Sequence, residues 1–253
     1  MNLERKKIEK EYHDRRAIGK IDFLFYDTPF LKSLVLDLEK FSLALLGNIK
    51  GKRILYYGCG ANWILAHKFS QECSSVILID ISQESIKIMN KKIDELNLKN
   101  MSAFVMDCEN LAFKNDSFDL IFGRAILHHL DLEKSSKEIS RILRQGGKAV
   151  FLEPLGTNPL INFYRKITPK RRTPSEKPLD FDDISRISKY FREVKHFELT
   201  LITNFGIFWN SVLKLPLNKF INYSTLKKID NFVLDKVKFL RKYCWNVVLL
   251  LKK

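Results

Sequence analysis

Apolar and polar positions in the middle of the chain follow two alternating patterns, one typical of strands and one typical of helices. Short apolar runs of about four to eight residues suit buried strands, and apolar residues at i, i+3 and i+4 suit helices. The predicted strands lie at 54–57, 76–79, 102–106, 118–122 and 148–152. The predicted helices lie at 63–72, 83–96 and 133–143. This alternation predicts an α/β fold with a mostly parallel sheet covered on both faces.

The segments before and after this alternating region have other patterns of apolar and polar residues. Before it, a charged, helix-like stretch predicts a helix at 3–16, and apolar spacing predicts a second at 28–48, with Pro29 and Gly47 suited to its start and its end. After it, we expect a long proline-rich excursion and then a helix, a strand, an amphipathic aromatic region and a final strand. These segments are 154–180, 182–190, 193–201, 205–240 and 244–251.

The candidate chemistry begins at the turn Gly58-Cys59-Gly60, between the first strand of the alternating region and its helix. A strand, a glycine turn and a helix N-terminus form an anion-binding cradle. Asp80 ends the next strand, 20 residues after Gly60. This spacing suits a carboxylate that accepts hydrogen bonds from ribose hydroxyls. A dinucleotide fingerprint requires a third glycine where this chain has Trp63. An adenosine-bearing ligand other than a dinucleotide is therefore expected, and a NAD-dependent dehydrogenase is the runner-up by fold.

Composition excludes some classes of protein and leaves others open. No apolar run reaches the roughly 18–20 residues of a membrane span, and the charged N-terminus does not predict a signal peptide. Four widely spaced cysteines predict neither disulfides nor a metal site, so a reducing cytoplasmic compartment is expected. The formal net charge of +15 fits a lysine-rich surface or an anionic partner, such as a phosphorylated substrate, a membrane or nucleic acid.

The order of four motifs resembles the class I S-adenosylmethionine-dependent methyltransferases, and in particular their type 11-like subgroup. The motifs are 54–62, 77–82, 106–113, and 118–122 with 125–130, followed by 143–148. The resemblance implies a Rossmann-like sheet of seven strands with an antiparallel last strand. It also implies S-adenosylmethionine as cofactor and S-adenosylhomocysteine as product. A helical cap or lid is then expected over 1–48 and the methyltransferase domain over 49–253, with 154–180 and 205–240 on the substrate side.

The resemblance also supplies a set of cofactor-binding residues. They are Tyr56, Gly58, Cys59, Gly60, Asp80, Ile81, Asp107, Cys108 and Arg124. In the family pattern the glycine turn holds the amino-acid end of the cofactor, Asp80 the ribose and Asp107 the adenine amine. Two residues depart from this pattern. Tyr56 stands where an acid usually helps to hold the methionine ammonium, and Asn62 stands where a third glycine is common.

Methyl transfer to a hydroxyl benefits from a general base, for which histidine is the usual choice near neutral pH. The candidates for catalysis are His129, His128, His13 and Glu153. Glu153 ends the fifth strand, where it either orients a substrate hydroxyl or caps the loop. The resemblance further implies a substrate lid after Glu153, with Tyr164 and Arg165 as candidate contacts.

The acceptor is expected to be a small molecule, a glycan or a lipid-linked intermediate, methylated on oxygen. Peripheral contact with a membrane is compatible with the basic, aromatic region 205–240. The motif after the fourth strand, 122–127, matches neither the amino-methylating nor the C5-methylating DNA enzymes, so nucleic acid is a less favoured partner. The alternatives are a methyltransferase of RNA or another polyanion, and a cofactor-binding protein whose catalysis is impaired by the change at Tyr56.

Overall fold

A single seven-stranded sheet organises the protein in the computed structural model, which describes residues 2–19, 29–169, 172–204 and 222–253. The strands are β1 (Arg53–Tyr57), β2 (Ser75–Asp80), β3 (Met101–Val105), β4 (Phe118–Arg124), β5 (Leu143–Pro154), β6 (Glu193–Leu199) and β7 (Asn246–Lys252). Their order is β3-β2-β1-β4-β5-β7-β6. β7 runs antiparallel to both β5 and β6, and the other pairs are parallel.

The helices cover both faces of this sheet. They are α1 (Asn2–Ala17), α2 (Pro29–Leu46), α3 (Trp63–Glu72), α4 (Gln83–Glu95), α5 (Leu132–Ile142), α6 (Pro159–Ile167), α7 (Phe181–Ser188) and α8 (Tyr223–Lys236), with short 3-10 helices at Leu127–His129 and Lys238–Tyr243. In β1, Ile54 and Tyr56 pack in the core formed with α2, α3, α4 and α8, whereas Leu55 and Tyr57 pack in the core formed with α5 and α7. A strand buried on both faces reads as a continuous apolar run, which is the pattern of 54–57.

Side-chain caps fix where several helices begin. Ser82 accepts a hydrogen bond from the backbone N–H of Ser85 at the start of α4, and Asp131 accepts from Glu133 and Lys134 at the start of α5. Such caps satisfy backbone donors that have no partner inside the helix. Because α4 and α5 begin directly after the loops that follow β2 and β4, their caps also fix the loops at the carboxyl end of the sheet.

The predicted fold class is confirmed, including the seven strands and the antiparallel last strand. The start predicted for the fifth strand, residue 148, is wrong, because β5 already begins at Leu143 and includes Gly146 and Gly147. Gly146 has a φ of +72°, and the pairing of β4 with β5 shifts register between Phe118 and Leu120, which accommodates the irregularity. The last strand begins at Asn246 rather than at residue 244. Part of the predicted aromatic region, 205–221, lies outside the described residues.

Within the described ranges, none of the helices combines the length and the apolar character that crossing a bilayer requires.

Candidate cofactor and substrate site

A cavity of about 920 Å³ lies beyond the carboxyl ends of the parallel strands, with residues of α1 among its walls. The glycine turn after β1, Asp80 at the end of β2, Asp107 after β3, Arg124 at the end of β4 and Glu153 near the end of β5 all line it. Ligands of open α/β sheets bind at this edge, near the point where the strand order reverses. Here the reversal falls between β1 and β4.

The glycine turn has the geometry of a cofactor cradle. Gly58 and Gly60 have φ values of +66° and +51°. A Cβ on Gly58 would lie 2.6 Å from the side chain of Ile126, so only glycine fits between the turn and the loop after β4. Among the residues that the structure describes, none places an atom within 4 Å of the corresponding position at Gly60, which lines the cavity. The residues therefore fit a ligand that approaches the backbone closely.

Asp80 joins the glycine turn to the next loop. Its Oδ2 accepts from the backbone N–H of Gly60 at 2.7 Å, and its Oδ1 accepts from the backbone N–H of Ser82 at 2.8 Å. Each carboxylate oxygen retains capacity for a second hydrogen bond. Asp80 can therefore accept hydrogen bonds from two hydroxyl groups of a ribose while the backbone N–H groups of Gly60 and Ser82 hold its carboxylate in place.

Helix α1 is joined by ion pairs to Asp107 and Glu109 in the loop that follows β3. Lys6 Nζ is 2.5 Å from Asp107 Oδ2 and 3.1 Å from Glu109 Oε2, and Arg5 also pairs with Glu109. At the far end of α1, Asp14 Oδ1 accepts from the Ser82 hydroxyl at 2.7 Å and caps α4. The carboxylate predicted to bind the adenine amine is thus shared with a lysine of α1.

The buried carboxylate of Glu109 is held ionised by these contacts. Burial opposes ionisation, but the backbone N–H of Asp131 and the charges of Lys6 and Arg5 outweigh it and lower the pKa of Glu109. The Glu109 side chain is only 1% exposed, so the pairs with α1 lie in a weakly screened environment.

Tyr56, which replaces the expected acid, is a core residue. Its ring makes edge-to-face contacts with Phe69 and Phe122, and burial raises the pKa of its hydroxyl well above the usual value. A carboxylate nevertheless lines the cavity close by, because Glu39 of α2 pairs with Arg124 at the end of β4. An acid is therefore present near the glycine turn, although a different element supplies it.

Glu153 and His128 form a buried pair at the base of the cavity. His128 Nδ1 lies 2.7 Å from Glu153 Oε2. The other oxygen of Glu153 accepts from the backbone N–H groups of Ile126 and Leu127, each at 2.9 Å. The loop-capping interpretation of Glu153 is thus supported by its contacts with Ile126 and Leu127, whereas its orientation of a substrate hydroxyl stays a prediction.

His129 and His13 face a second carboxylate, Glu9 of α1. His129 Nδ1 lies 3.0 Å from Glu9 Oε2, and His13 Nε2 lies 3.6 Å from the same oxygen. Burial and the neighbouring His128 lower the pKa of His129 to about 4. The N-terminal helix thus places His13 at the cavity, as the lid reading of this segment expects.

The predicted site residues come together around this one cavity, and what each of them does stays a prediction. Tyr164 lies in α6, but its side chain is outside the described residues. Cys59 and Cys108 are buried, and burial raises the pKa of both thiols. The cavity residues that sequence reasoning missed include Glu9, Tyr12, Glu39, Glu176 and Trp245. The spacing of Glu9 and His13, which places them on one helical face, was a signal for the first of them.

Comparisons with known proteins agree with this geometry. Residues 55–151 match the family of methyltransferase domains. An aklanonic acid methyltransferase from Streptomyces sp. (strain C5) is 35% identical over 121 residues, which are 45% of this chain and 54% of that protein. The uncharacterized methyltransferase YcgJ of Bacillus subtilis is 30% identical over 102 residues. The chain therefore spans 40% of YcgJ and 54% of the Streptomyces protein in these matches.

The solved structure of geranyl diphosphate C-methyltransferase from Streptomyces coelicolor A3(2) has the same fold. It superposes with a TM-score of 0.69 at 14% identity, over 99% of this chain and 98% of that one. That structure contains Mg²⁺, geranyl diphosphate and S-adenosyl-L-homocysteine.

The fold and the site define an α/β protein with a glycine turn that lines a cavity at the carboxyl edge of its sheet. Together with the match of residues 55–151 to a methyltransferase domain, they support a class I S-adenosylmethionine-dependent methyltransferase. The prediction of the class and that of its cofactor, S-adenosylmethionine, are confirmed.

Proposed function

We propose that this protein transfers a methyl group from S-adenosylmethionine to an oxygen atom of a small anionic molecule, a glycan or a lipid-linked intermediate. The observation that carries the proposal is the position of the His128–Glu153 pair, which lines the same cavity as the glycine turn and Asp80. A cofactor cradle and a buried imidazole therefore face one space.

The residues of the cradle have separate tasks in binding the cofactor. The turn at Gly58 to Gly60 takes the amino-acid end, Asp80 accepts the ribose hydroxyls, and Asp107 accepts the adenine amine beside Lys6. Glu39 replaces the acid that is missing at Tyr56 and attracts the methionine ammonium, since both Glu39 and Tyr56 line the cavity. When bound, S-adenosylmethionine supplies an electrophilic methyl group on a sulfonium.

His128 holds the proton that the acceptor loses. A carboxylate at Glu153 accepts from His128 Nδ1, so the free lone pair lies on Nε2. The bound cofactor would supply the methyl group to the acceptor oxygen and leave as S-adenosylhomocysteine, and His128 Nε2 would take the proton of the acceptor hydroxyl. Because the displacement is in line, much of the rate comes from holding the acceptor in place.

Basic side chains support an acidic acceptor. Arg165 of α6 lines the cavity and pairs with Glu176 at 2.7 Å, and a guanidinium in such a position can also bind a carboxylate or phosphate. The names of two relatives specify anionic molecules, aklanonic acid and geranyl diphosphate. We assign Arg165, with Tyr164 beside it in sequence, to the acceptor.

Helix α1 acts as the lid of this site. It covers the adenine side through Lys6, reaches α4 through Asp14, and places Glu9 and His13 at the cavity. We assign the segment 1–48 to this cap and the regions 154–180 and 205–240 to the acceptor side, as the sequence predicts.

The test is a turnover screen of hydroxylated acids, glycans and lipid intermediates, with mass spectrometry for the mass of one added methyl group. We expect His128→Ala and Glu153→Gln to lower kcat on the acceptor by about 100-fold or more. Their affinity for S-adenosylmethionine should stay within about threefold. A product methylated on carbon or nitrogen, or unchanged kcat in His128→Ala, would contradict the oxygen-directed mechanism. Turnover confined to RNA would favour the polyanion alternative, and cofactor binding without any turnover would favour the impaired protein.

A further inference from the structure

Two elements that are far apart in sequence bring three potential metal ligands together. Glu9 and His13 lie four residues apart on α1, and His129 lies in the 3-10 helix after β4. Glu9 Oε2 is 3.0 Å from His129 Nδ1 and 3.6 Å from His13 Nε2. One ligand atom from each residue lies within 4.8 Å of the other two. The cluster is therefore compact enough for one ion.

Two atoms of this cluster are buried without an aligned partner. Among the described residues, neither Glu9 Oε2 nor His129 Nδ1 makes a hydrogen bond of acceptable geometry. Their side chains are 7% and 9% exposed. Buried polar atoms in this position are costly unless something satisfies them. The 3.0 Å contact between these two atoms therefore brings two potential ligand atoms together without forming a hydrogen bond of acceptable geometry.

The carboxylate of Glu9 is also held in a fixed orientation. Its other oxygen, Oε1, accepts from the hydroxyls of Thr173 and Ser175, each at 2.6 Å. These two bonds leave Oε2 facing the two imidazoles. Hydrogen bonds of this kind are typical of carboxylates that bind metals, because they orient the ligand before the ion arrives.

We propose that Glu9, His13 and His129 form a binding site for one divalent transition-metal ion, which links the lid helix α1 to the loop after β4. Bonds of about 2.0–2.1 Å in tetrahedral geometry place neighbouring ligand atoms about 3.3 Å apart. The distances of 3.0 Å and 3.6 Å lie on either side of that value. The third pair, between the two imidazoles, lies within 4.8 Å and closes toward the same value as the ion binds.

The ligand types select the metal. Two imidazoles and one carboxylate suit Zn²⁺, Co²⁺ or Fe²⁺, whereas Mg²⁺ prefers oxygen ligands and retains water. Three protein ligands leave at least one coordination position open, and all three residues line the cavity. The cysteine spacing predicts no metal site, and the proposed site uses one carboxylate and two imidazoles instead of thiolates. It does not depend on methyl transfer, since its ligands lie outside the cofactor cradle.

The consequence of such an ion is a closed lid. Two of its ligands move with α1 and the third belongs to the body of the protein, so binding should favour the docked state of α1 by mass action. The open position would also offer a Lewis acid to an oxygen of the acceptor inside the cavity.

The test is metal binding by the full-length protein after dialysis against a chelator. We expect titration calorimetry to show one Zn²⁺ per chain with micromolar or tighter affinity, and Co²⁺ to give the visible absorption bands of a tetrahedral site. Glu9→Gln, His13→Ala and His129→Ala should each weaken binding by at least about 10- to 100-fold. His13 is partly exposed, so His13→Ala tests the site even where Glu9→Gln fails to fold.

His196→Ala is the matched control. His196 also contacts a carboxylate, that of Glu198. It belongs to neither of the two groups of potential metal ligands in the described chain, which are Glu9, His13 and His129, and His128, His129 and Glu176. Its removal should leave the affinity for Zn²⁺ unchanged. Absence of Zn²⁺ and Co²⁺ binding at millimolar metal, equal binding by wild type and His13→Ala, or a preference for Mg²⁺ would each overturn the proposal. In those cases the cluster is a contact between imidazoles and a carboxylate only.

Discussion

At the scale of single residues, Asp80 has the clearest link between geometry and binding. Replacing it with Asn keeps the size of the side chain but removes the charge that we propose accepts hydrogen bonds from the ribose hydroxyls. Hydrogen bonds to charged groups contribute about 1.5–3 kcal/mol, so Asp80→Asn should weaken S-adenosylmethionine binding by about 10- to 100-fold in titration calorimetry.

Asp119→Asn provides the control for that experiment. Asp119 also accepts from a backbone N–H, that of Arg53 at 2.8 Å, but it lies at the opposite end of the sheet. Its replacement should leave the affinity for the cofactor unchanged. Equal affinities of wild type and Asp80→Asn would contradict the assignment of Asp80 to the ribose.

Glu39 offers a sharper test at the same scale. If Glu39 replaces the acid that is missing at Tyr56, Glu39→Gln should lower the affinity for S-adenosylmethionine by about tenfold. The affinity for 5′-methylthioadenosine, which lacks the amino-acid end, should not change. Tyr56→Phe, which removes only a buried hydroxyl, should have little effect on either ligand. An equal loss for both ligands in Glu39→Gln would show that Glu39 acts on the fold rather than on the ammonium.

At the scale of elements, the docking of α1 depends on the ionised state of Glu109. The pKa of Glu109 is lowered from 4.5 on folding. A carboxyl group with a lowered pKa stabilises the folded state above its unfolded-state pKa, and this contribution is lost as the pH falls through the folded-state value. We therefore expect the stabilisation that Glu109 provides to be complete near neutral pH, to decline as the pH falls below about 4.5, and to vanish only below the lowered folded-state pKa.

The variant Glu109→Gln converts this expectation into a measurement. At pH 7 the variant should be less stable than wild type by about 1–3 kcal/mol, because Arg5 and Lys6 lose their charged partner. Thermal unfolding at decreasing pH should show the gap between the two proteins narrowing below about pH 4.5. A gap that stays constant down to pH 3 would mean that Glu109 acts through packing alone.

The contacts of α1 also mark the limit of sequence reasoning about the site. Gly58, Asp80 and Asp107 follow their strands directly, so the order of strands was enough to bring them to one edge. Glu9 meets His129 across 120 residues of chain, and this contact depends on how a mostly polar helix docks on ion pairs. The sequence shows the helix and its charged face, but not which carboxylate each charge meets.

At the scale of the whole molecule, the same distinction holds for the fold. Apolar runs of the right length predicted β1, β2 and β4 closely, because strands buried on both faces leave a continuous apolar signal. They also predicted β3, an edge strand in which Ser102, Phe104 and Val105 are exposed. The start of β5 was missed, since two glycines within it read as a turn. The segment 154–180, which is expected on the acceptor side, was predicted least well because its polarity is mixed. Its helix α6 becomes recognisable only through the cap at Asn158.

The net charge of +15 and an exposed apolar face together allow a last prediction, which concerns a membrane-associated acceptor. Ile229 and Phe232 of α8 are 42% and 66% exposed, and Lys228 and Lys236 flank Phe232 at helical spacing. Basic residues beside exposed aromatic and aliphatic side chains suit the interface of an anionic bilayer. We expect the protein to co-sediment with vesicles that contain phosphatidylglycerol, and not with neutral phosphatidylcholine vesicles.

Replacing Ile229 and Phe232 with Ser should reduce that binding by about tenfold, since each side chain loses apolar contact with the bilayer. Leu96→Ser is the matched control, because Leu96 is 52% exposed at the end of α4. Binding that persists in the double variant but disappears with moderate salt would reduce the interaction to non-specific charge attraction. Absence of binding at low salt would restrict the acceptor to molecules that reach the cavity from solution.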